Sequence, residues 1–174
     1  SMSKSFISLC AGIAFKENII IDFHAPILDT IQTKIFETTH NTKITWSQML
    51  QLTSEWEGEL WGKPDWIDHN RNLNDSQKNR LEKGKKRKLN SPGTFWEYND
   101  VRVNVLSYAL MLAFERSLPD VLREHIMVPI GASNTWKWHG YENSWDEVNG
   151  KRLQSVSGGA HWGGGLWIST LDLA

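Results

Sequence analysis

The first residues whose types and spacing suggest chemistry are Ser1 and Lys4, three positions apart at the start of an apolar run. Side chains at positions i and i+3 share a face of a helix, so a helix beginning here would bring the hydroxyl and the amine together. A serine becomes a nucleophile when a neighbouring base accepts its proton, and lysine is such a base when its pKa falls from about 10.4. The alternative is a helix cap followed by a solvated lysine.

The composition is that of a globular chain: 174 residues, 40% of them hydrophobic, with a net charge of -1. That charge balance gives no indication of binding to nucleic acid or to an anionic membrane. No apolar run reaches the ~18 residues of a membrane span. The single cysteine, Cys10, excludes an internal disulfide, and the six histidines form no close ligand pair, so we expect neither a metal nor another cofactor. The chain opens on the candidate nucleophile with no signal peptide, so we expect it to come from a longer protein.

The sequence predicts one hairpin and several helices, the last of which opens at Ser169 or Thr170. Residues 1–15 are apolar on most faces and predict a central helix. Thr45 is expected to cap a helix over 46–52, and Asn99 or Asp100 a helix over 101–115. A further helix is expected after Pro119. The pair Asn149-Gly150 predicts a hairpin between strands 144–148 and 151–156, and the fold class is therefore α-rich α+β.

Two further features are unusual in composition. The sequence has ten tryptophans, which favour either an aromatic-walled cleft or long loops held together by aromatic contacts. The basic run at 83–88 (KGKKRK) has no interleaved aromatic residues, and it predicts a solvated, mobile loop and not a phosphate contact.

Two more segments carry candidate site residues. Tyr98 stands at a turn just before the helix over 101–115, where its side chain could point into a cleft. Residues 157–166 contain five glycines, which allow a ligand to approach the backbone closely. A phosphate loop is a poor interpretation of this segment, because no lysine follows at the required spacing.

Together, the segments 1–6 (SMSKSF), 98–104 (YNDVRVN) and 158–169 (GGAHWGGGLWIS) resemble the serine β-lactamase-like hydrolases. The branch they are most similar to is the class C-like one, which includes esterases and amide hydrolases. The resemblance covers nearly the whole chain, 1–174, in the right order. It implies the helical region of a β-lactamase/transpeptidase-like fold, with most of the antiparallel sheet outside this chain and supplied by the rest of the native protein.

The resemblance also implies an acyl-enzyme mechanism on an ester, amide or β-lactam. Ser1 would attack the carbonyl carbon, Lys4 and Tyr98 would carry its proton, and the N–H of Ser1 would contribute to the oxyanion hole. Either Lys4 or Tyr98 could be the base.

The second and third motifs depart from the pattern of the family. Its second motif is usually Tyr-x-Asn, whereas Asp100 stands third here, so we expect Asp100 to contact substrate in place of the usual amide. His161, Trp162 and Gly163 match the letters of the third motif, but they follow Tyr98 too closely and in a glycine loop expected to lead into a helix. We therefore expect these three residues to line the cleft and bind substrate, with the true third motif absent. The alternative for His161 is that it holds the loop.

Two other classes of function remain open at this stage. An N-terminal-nucleophile hydrolase would use the α-amino group of Ser1 as its base. A non-catalytic, tryptophan-rich relative would bind a ligand without forming an acyl adduct. The isolated chain is expected to be inactive or barely active.

Overall fold

The computed structural model describes residues 2–71, 82–158 and 165–174. The chain divides into two compact units, the first made of Ser1–Ile21 with Ser107–Ala174 and the second of Asp22–Leu106. Among the helices in these described ranges, none has both the length and the apolar character needed to cross a membrane.

Helix α1, Ser3–Lys16, opens the first unit and confirms the first predicted helix. Its buried positions recur at helical spacing and include Phe6, Cys10 and Ile13. Leu9 and Phe15 lie on the opposite side and are 46% and 49% exposed. The expectation of a helix buried on most faces is therefore wrong for these two residues, because α1 packs along one side only.

The sheet of the first unit has three antiparallel strands in the order β4-β3-β5. Strand β3 is Lys137–Val148, β4 is Lys151–Val156 and β5 is Gly165–Trp167. The predicted hairpin is confirmed, and Asn149 and Gly150 have the two positive φ angles, 50° and 73°, that a tight turn between antiparallel strands favours. Strand β3 begins seven residues earlier than predicted, because its first three residues pair with β5.

One face of this sheet packs on α1. Trp138 is buried, and its ring makes an edge contact with Phe6 of α1 at a centroid distance of 6.4 Å. Tyr141 and Ser144 are buried as well, and a bulge lies between Gly140 and Trp145. The glycine loop was expected to lead into a helix, but strand β5 comes first because its backbone pairs with β3. The short helix α5, Thr170–Leu173, follows with Ser169 as its cap.

The longest helix is α3, Asp100–Phe114. Asn99 caps it, since its side-chain oxygen accepts hydrogen bonds from the N–H groups of Val101 at 2.9 Å and Arg102 at 3.2 Å, which confirms one of the two predicted caps. Helix α4, Leu118–Leu122, follows with Ser117 as cap and Pro119 in its first turn, and it continues into a π-helical turn at Arg123–Met127.

The second unit is built mainly from short elements. Its helix α2, Trp46–Leu50, has the predicted Thr45 cap, and it ends earlier than expected because Leu52 adopts a positive φ of 60°. Strands β1 (Glu59–Leu60) and β2 (Lys63–Pro64) form a two-stranded antiparallel sheet. The described residues of this unit also form four 3-10 turns, at Ile27–Asp29, Lys34–Phe36, Asn41–Lys43 and Asp65–Asp68. Helices with small antiparallel sheets confirm the predicted α-rich α+β class.

The described tryptophans differ widely in exposure. Trp46 and Trp56 are fully buried, and Trp136 and Trp138 are nearly so. The exposed ones are Trp66, Trp96, Trp145 and Trp167. Trp162 lies outside the described residues.

Gly140 provides a test of the bulge in β3. A Cβ added there would overlap the carbonyl oxygen of Ser155 and lie 2.5 Å from Ser144 Oγ. We expect Gly140→Ala to lower the free energy of unfolding by about 2 kcal/mol, because neither neighbour has room to retreat. The free energy of unfolding is measured by urea unfolding, with tryptophan fluorescence as the signal.

The matched control is Gly12→Ala in α1. A Cβ at Gly12 has nothing within 4 Å, and alanine favours a helix interior over glycine by ~0.5–1 kcal/mol. This variant should be slightly more stable than the wild type. A Gly140→Ala protein as stable as the wild type would contradict the close packing of the bulge.

Candidate functional site

Three of the seven predicted site residues lie in described segments: Lys4, Tyr98 and Asp100. The other four, Ser1, His161, Trp162 and Gly163, lie outside the described residues. Lys4 belongs to the first unit, and Tyr98 and Asp100 belong to the second.

Lys4 stands on the first turn of α1 and is partly buried. Its neighbour Ser3 is 2% exposed, and the Ser3 hydroxyl accepts a hydrogen bond of 3.0 Å from the N–H of Leu166. Leu166 is the second residue of β5, which directly follows the glycine loop. This bond joins the start of α1 to the end of the glycine loop across 163 residues of sequence.

Tyr98 lies immediately before the cap of α3 and is partly buried. The guanidinium of Arg71 lies over its ring, with Cζ 4.5 Å from the ring centroid. Such a cation–π contact stabilises a ring in one orientation. Arg71 is a site candidate that the sequence did not indicate, because it stands 27 positions from Tyr98 in a stretch without periodicity.

The same Arg71 donates a hydrogen bond of 2.6 Å to the carboxylate of Asp100. Burial by itself would lower the pKa of Arg71, but its hydrogen bond and ion pair with Asp100 outweigh burial and raise the pKa. Asp100 is 1% exposed, and its own N–H donates to Asp68 Oδ2 at 2.9 Å. The carboxylate expected to contact substrate thus lies buried beside a guanidinium, and Arg71 links it to Tyr98.

Asn99, the middle residue of the tyrosine motif, has a structural role. Besides capping α3, its amide donates to the side chain of Asp65 at 2.9 Å and to the carbonyl of Asp65 at 3.1 Å. The Asn99 side chain is fully buried. The amide next to Tyr98 therefore holds the 3-10 turn at Asp65–Asp68 against the start of α3.

A buried ionic network lies behind the tyrosine motif. Arg102 of α3 is 1% exposed, and it donates to Asp65 at 2.8 and 2.9 Å and to Glu55 at 2.7 Å. Arg87 joins Glu55 to Glu97, with bonds of 2.5 and 2.6 Å. A buried charge is tolerated only with such compensation, because removing one partner leaves an uncompensated ion.

This network corrects the prediction for the basic run. Arg87 was expected to lie in a solvated loop, but its side chain is largely buried between two carboxylates, and its guanidinium also packs on the ring of Phe95 at 4.6 Å. Lys83 pairs with the buried Asp68 at 2.9 Å, and Lys86 lies over Trp66 at 5.3 Å. The run is therefore attached to the second unit because the acidic side chains facing it need compensating charge.

The network changes the titration of its carboxylates. Burial by itself would raise the pKa of Glu55, but hydrogen bonds from Arg87, Asn90 and Arg102 outweigh burial and lower the pKa to about 2. Glu55 also has a positive φ of 49°, an uncommon conformation for a residue other than glycine. Burial would likewise raise the pKa of Asp65, but hydrogen bonds from His69 and Arg102 hold it below its ordinary value.

The comparisons with known proteins identify the fold. The family model described as Beta-lactamase matches residues 1–173. The chain belongs to the β-lactamase family. This confirms the resemblance drawn from the three segments, and it assigns the chain to a family of serine-hydrolase type.

Two solved structures have the same fold. The penicillin binding protein from Bacillus halodurans is 14% identical, with a TM-score of 0.59 over 99% of this chain and 55% of that one. The octameric penicillin-binding protein homologue from Pyrococcus abyssi is 18% identical, with a TM-score of 0.58 over 99% of this chain and 42% of that one. The chain thus spans about half the length of these structures. No curated protein matches the chain.

Glu55→Gln tests the ionic network. In the wild type, Glu55 stays ionised in the folded state down to a pKa of about 2, whereas its ordinary value is 4.5. Unfolding therefore takes up a proton between these values, and the stability that Glu55 contributes is lost as the pH falls from about 4.5 towards 2. We expect Glu55→Gln to reduce the number of protons taken up on unfolding between pH 4.5 and 2 by about one, which flattens the pH dependence of the free energy of unfolding. The variant should also be less stable at neutral pH.

Urea unfolding at a series of pH values measures both effects. Glu37→Gln, which removes an exposed carboxylate of the same unit, is the matched control. An unchanged pH dependence in Glu55→Gln would contradict the proposed compensation of Glu55 by the two arginines.

Proposed function

We propose that the protein containing this chain is a serine hydrolase that cleaves an ester, amide or β-lactam carbonyl through an acyl-enzyme intermediate. Ser1 is the nucleophile, and Lys4 and Tyr98 carry its proton. The family match over residues 1–173 supports the reaction class. The proposal covers a partial β-lactamase-like domain extending over 1–174.

The observation that carries this proposal is the bond between Ser3 and Leu166. In the sequence, Ser3 stands between Ser1 and Lys4, and Leu166 directly follows the glycine loop. A catalytic site built from these two segments needs them close together, although they stand at opposite ends of the sequence. Ser3 is 2% exposed, so its hydroxyl depends on protein partners such as the N–H of Leu166 for its hydrogen bonds.

The proposed reaction has two steps. In the first, Ser1 Oγ bonds to the carbonyl carbon as its proton passes to Lys4 or Tyr98, and the C–O or C–N bond breaks as the leaving group takes up that proton. In the second, water attacks the acyl ester, and Ser1 recovers its proton. The N–H of Ser1 would donate to the developing oxyanion.

The remaining predicted residues bind substrate in this proposal. His161, Trp162 and Gly163 line the cleft from the glycine loop, and Asp100 contributes from the start of α3. Arg71 is a positioning residue, since it packs on the Tyr98 ring and pairs with Asp100. Aromatic side chains around such a cleft favour a substrate with an apolar or ring-bearing acyl group.

Ser1→Ala tests the nucleophile. A fluorophosphonate probe bonds covalently to an activated serine, so intact-mass analysis of the longer natural protein should show one adduct, and the same protein with Ser1→Ala should show none. Ser5→Ala, which removes an exposed serine of α1 four positions away, should label like the wild type. An adduct that persists in Ser1→Ala would exclude Ser1 as the nucleophile.

A second experiment compares the labelling rate of the isolated chain with that of a longer natural protein. We propose that strands outside this chain complete the oxyanion hole, and we expect the isolated 174-residue chain to label at most about a hundredth as fast as a longer natural protein. Circular dichroism of both proteins controls for folding. Equal labelling rates would show that the isolated chain holds a complete site.

A further inference from the structure

A cavity in the second unit is lined by polar side chains that the proposed hydrolase chemistry does not use. Its volume is about 470 Å³, within the ~300–1,000 Å³ typical of small-molecule pockets. Two segments distant in sequence, 39–48 and 89–92, supply its wall, which includes His40, Lys43, Gln48, Leu89, Asn90 and Pro92. Leu89 and Pro92 offer apolar surface to the carbon atoms of a ligand, and the other four side chains carry nitrogen or oxygen atoms.

The backbone of Glu55 fixes the hydrogen-bonding state of His40. The Nε2 atom of His40 lies 2.8 Å from the carbonyl oxygen of Glu55. A carbonyl oxygen only accepts, so Nε2 carries the proton and Nδ1 of the neutral ring is an acceptor. Among the described residues, His69 Nδ1 is the one buried side-chain nitrogen or oxygen without a partner. His40 Nδ1 also lacks a partner in these ranges, so it must be accessible, and it can accept a hydrogen bond from a ligand.

Gln48 is held at one end in a similar way. Its Oε1 accepts a hydrogen bond of 3.1 Å from the N–H of Thr45, in the capping box that begins α2. This bond requires the amide oxygen, so the NH₂ group of Gln48 is the end that remains for another partner. Nε2 makes no hydrogen bond within the described part of the chain and is not one of its buried atoms without a partner. It is therefore an accessible donor.

Asn90 is the third side chain of the wall that is held at one end. Its backbone N–H and its Nδ2 both donate to Glu55 Oε2, at 2.7 and 3.3 Å. A carboxylate only accepts, so the amide nitrogen is the end bonded to Glu55. The amide oxygen of this exposed residue is an acceptor that has no partner among the described residues.

Glu55 makes the wall rigid, because it holds two of these three side chains. Its backbone oxygen accepts from His40, and its carboxylate accepts from Asn90. Arg87 and Arg102 fix that carboxylate in turn, and Glu55 is fully buried. Groups that are oriented before a ligand arrives lose less conformational entropy when they bind it. The ionic network therefore preorganises one side of the cavity.

The free ends of these groups define the ligand. His40 Nδ1 and Asn90 Oδ1 are acceptors, so they require donors such as hydroxyl groups. Gln48 Nε2 and the ammonium of Lys43 are donors, so they require acceptors. Lys43 is the one member of the described wall with a permanent charge, which favours a ligand with a single negative charge. A carboxylate carries one such charge, whereas a phosphate monoester carries about two at neutral pH.

We propose that this cavity binds a small hydroxylated carboxylic acid of the sugar-acid type. Its carboxylate accepts hydrogen bonds from Lys43 and Gln48, and its hydroxyl groups donate to His40 and Asn90. Its carbon skeleton lies against the two apolar residues of the wall. The proposal does not depend on Ser1 or on acyl transfer, so it can fail while the proposed function holds, and the reverse is equally true.

The experiment uses glucuronate as the probe, with two compounds that each lack one of its features. Glucose has the hydroxyl groups without the charge, and benzoate has the charge without the hydroxyl groups. Calorimetric titration of the longer natural protein measures affinity, and the side-chain amide NMR signals of Gln48 and Asn90 report the place of binding. Glucuronate should bind saturably and move both signals, and glucose and benzoate should each bind at least about tenfold more weakly.

Gln48→Glu is the decisive variant. Glutamate keeps an oxygen that accepts from the N–H of Thr45, so it preserves the capping box. It replaces the amide donor by an oxygen that repels the carboxylate of the ligand. We expect this variant to fold like the wild type and to bind glucuronate at least about tenfold more weakly. The matched control is Gln51→Glu, which adds the same charge at an exposed residue just after α2, outside the wall, and should bind like the wild type.

A second pair of variants tests the charge. Lys43→Gln should bind glucuronate no more tightly than the wild type binds glucose, because the two complexes then lack the same ion pair. Lys34→Gln, which removes an exposed lysine of the same unit outside the wall, should bind glucuronate like the wild type.

Three results would overturn the proposal: no saturable binding of glucuronate to the wild type, equal affinity for glucose or benzoate, or unchanged affinity in Gln48→Glu. Circular dichroism shows whether each variant folds. If Gln48→Glu does not fold, the wild-type NMR titration decides. Movement of the Gln48 and Asn90 amide signals with glucuronate supports the site, and stationary signals reject it.

Discussion

The packing of the second unit depends on one guanidinium, that of Arg102, which lies between Glu55 and Asp65. The three side chains are at most 5% exposed, so each charge is stable only while the others stay in place. Arg102 lies on the first turns of α3, whereas its partners lie in loops more than 35 positions earlier. The pairing therefore holds the segments around Trp56 and Trp66 against a rigid helix, although these segments contain little regular structure of their own.

The same network also positions side chains that could take part in a reaction or bind a ligand. Asp65 is shared by Arg102, Asn99 and His69, so the turn that ends at His69 is held by the same carboxylate that anchors α3. Asn99 directly follows Tyr98, so the position of that tyrosine's backbone is set by the network as well. The polar interior of the second unit thus orients groups at its edge.

In the first unit, backbone hydrogen bonds between strands and apolar packing hold the segments together, as the ionic network does in the second unit. Strand β3 pairs with β4 on one side and β5 on the other, and Trp138 connects this sheet to Phe6 of α1. The Ser3–Leu166 bond then joins the first turn of α1 to the strand after the glycine loop. Membership of the β-lactamase family accounts for that juxtaposition, since the family match includes both segments.

The sequence by itself determined the family, the fold class, the Thr45, Asn99 and Pro119 helix starts and the Asn149-Gly150 turn. Each of these depends on residues close together in the chain, whose propensities act locally. It did not reveal β5, the exposed side of α1, the burial of Arg87 or the hydrogen bond between His69 and Asp65. Only the tertiary structure decided these, because they depend on which distant strand, carboxylate or helix lies opposite a residue, and a single sequence carries no record of such pairings.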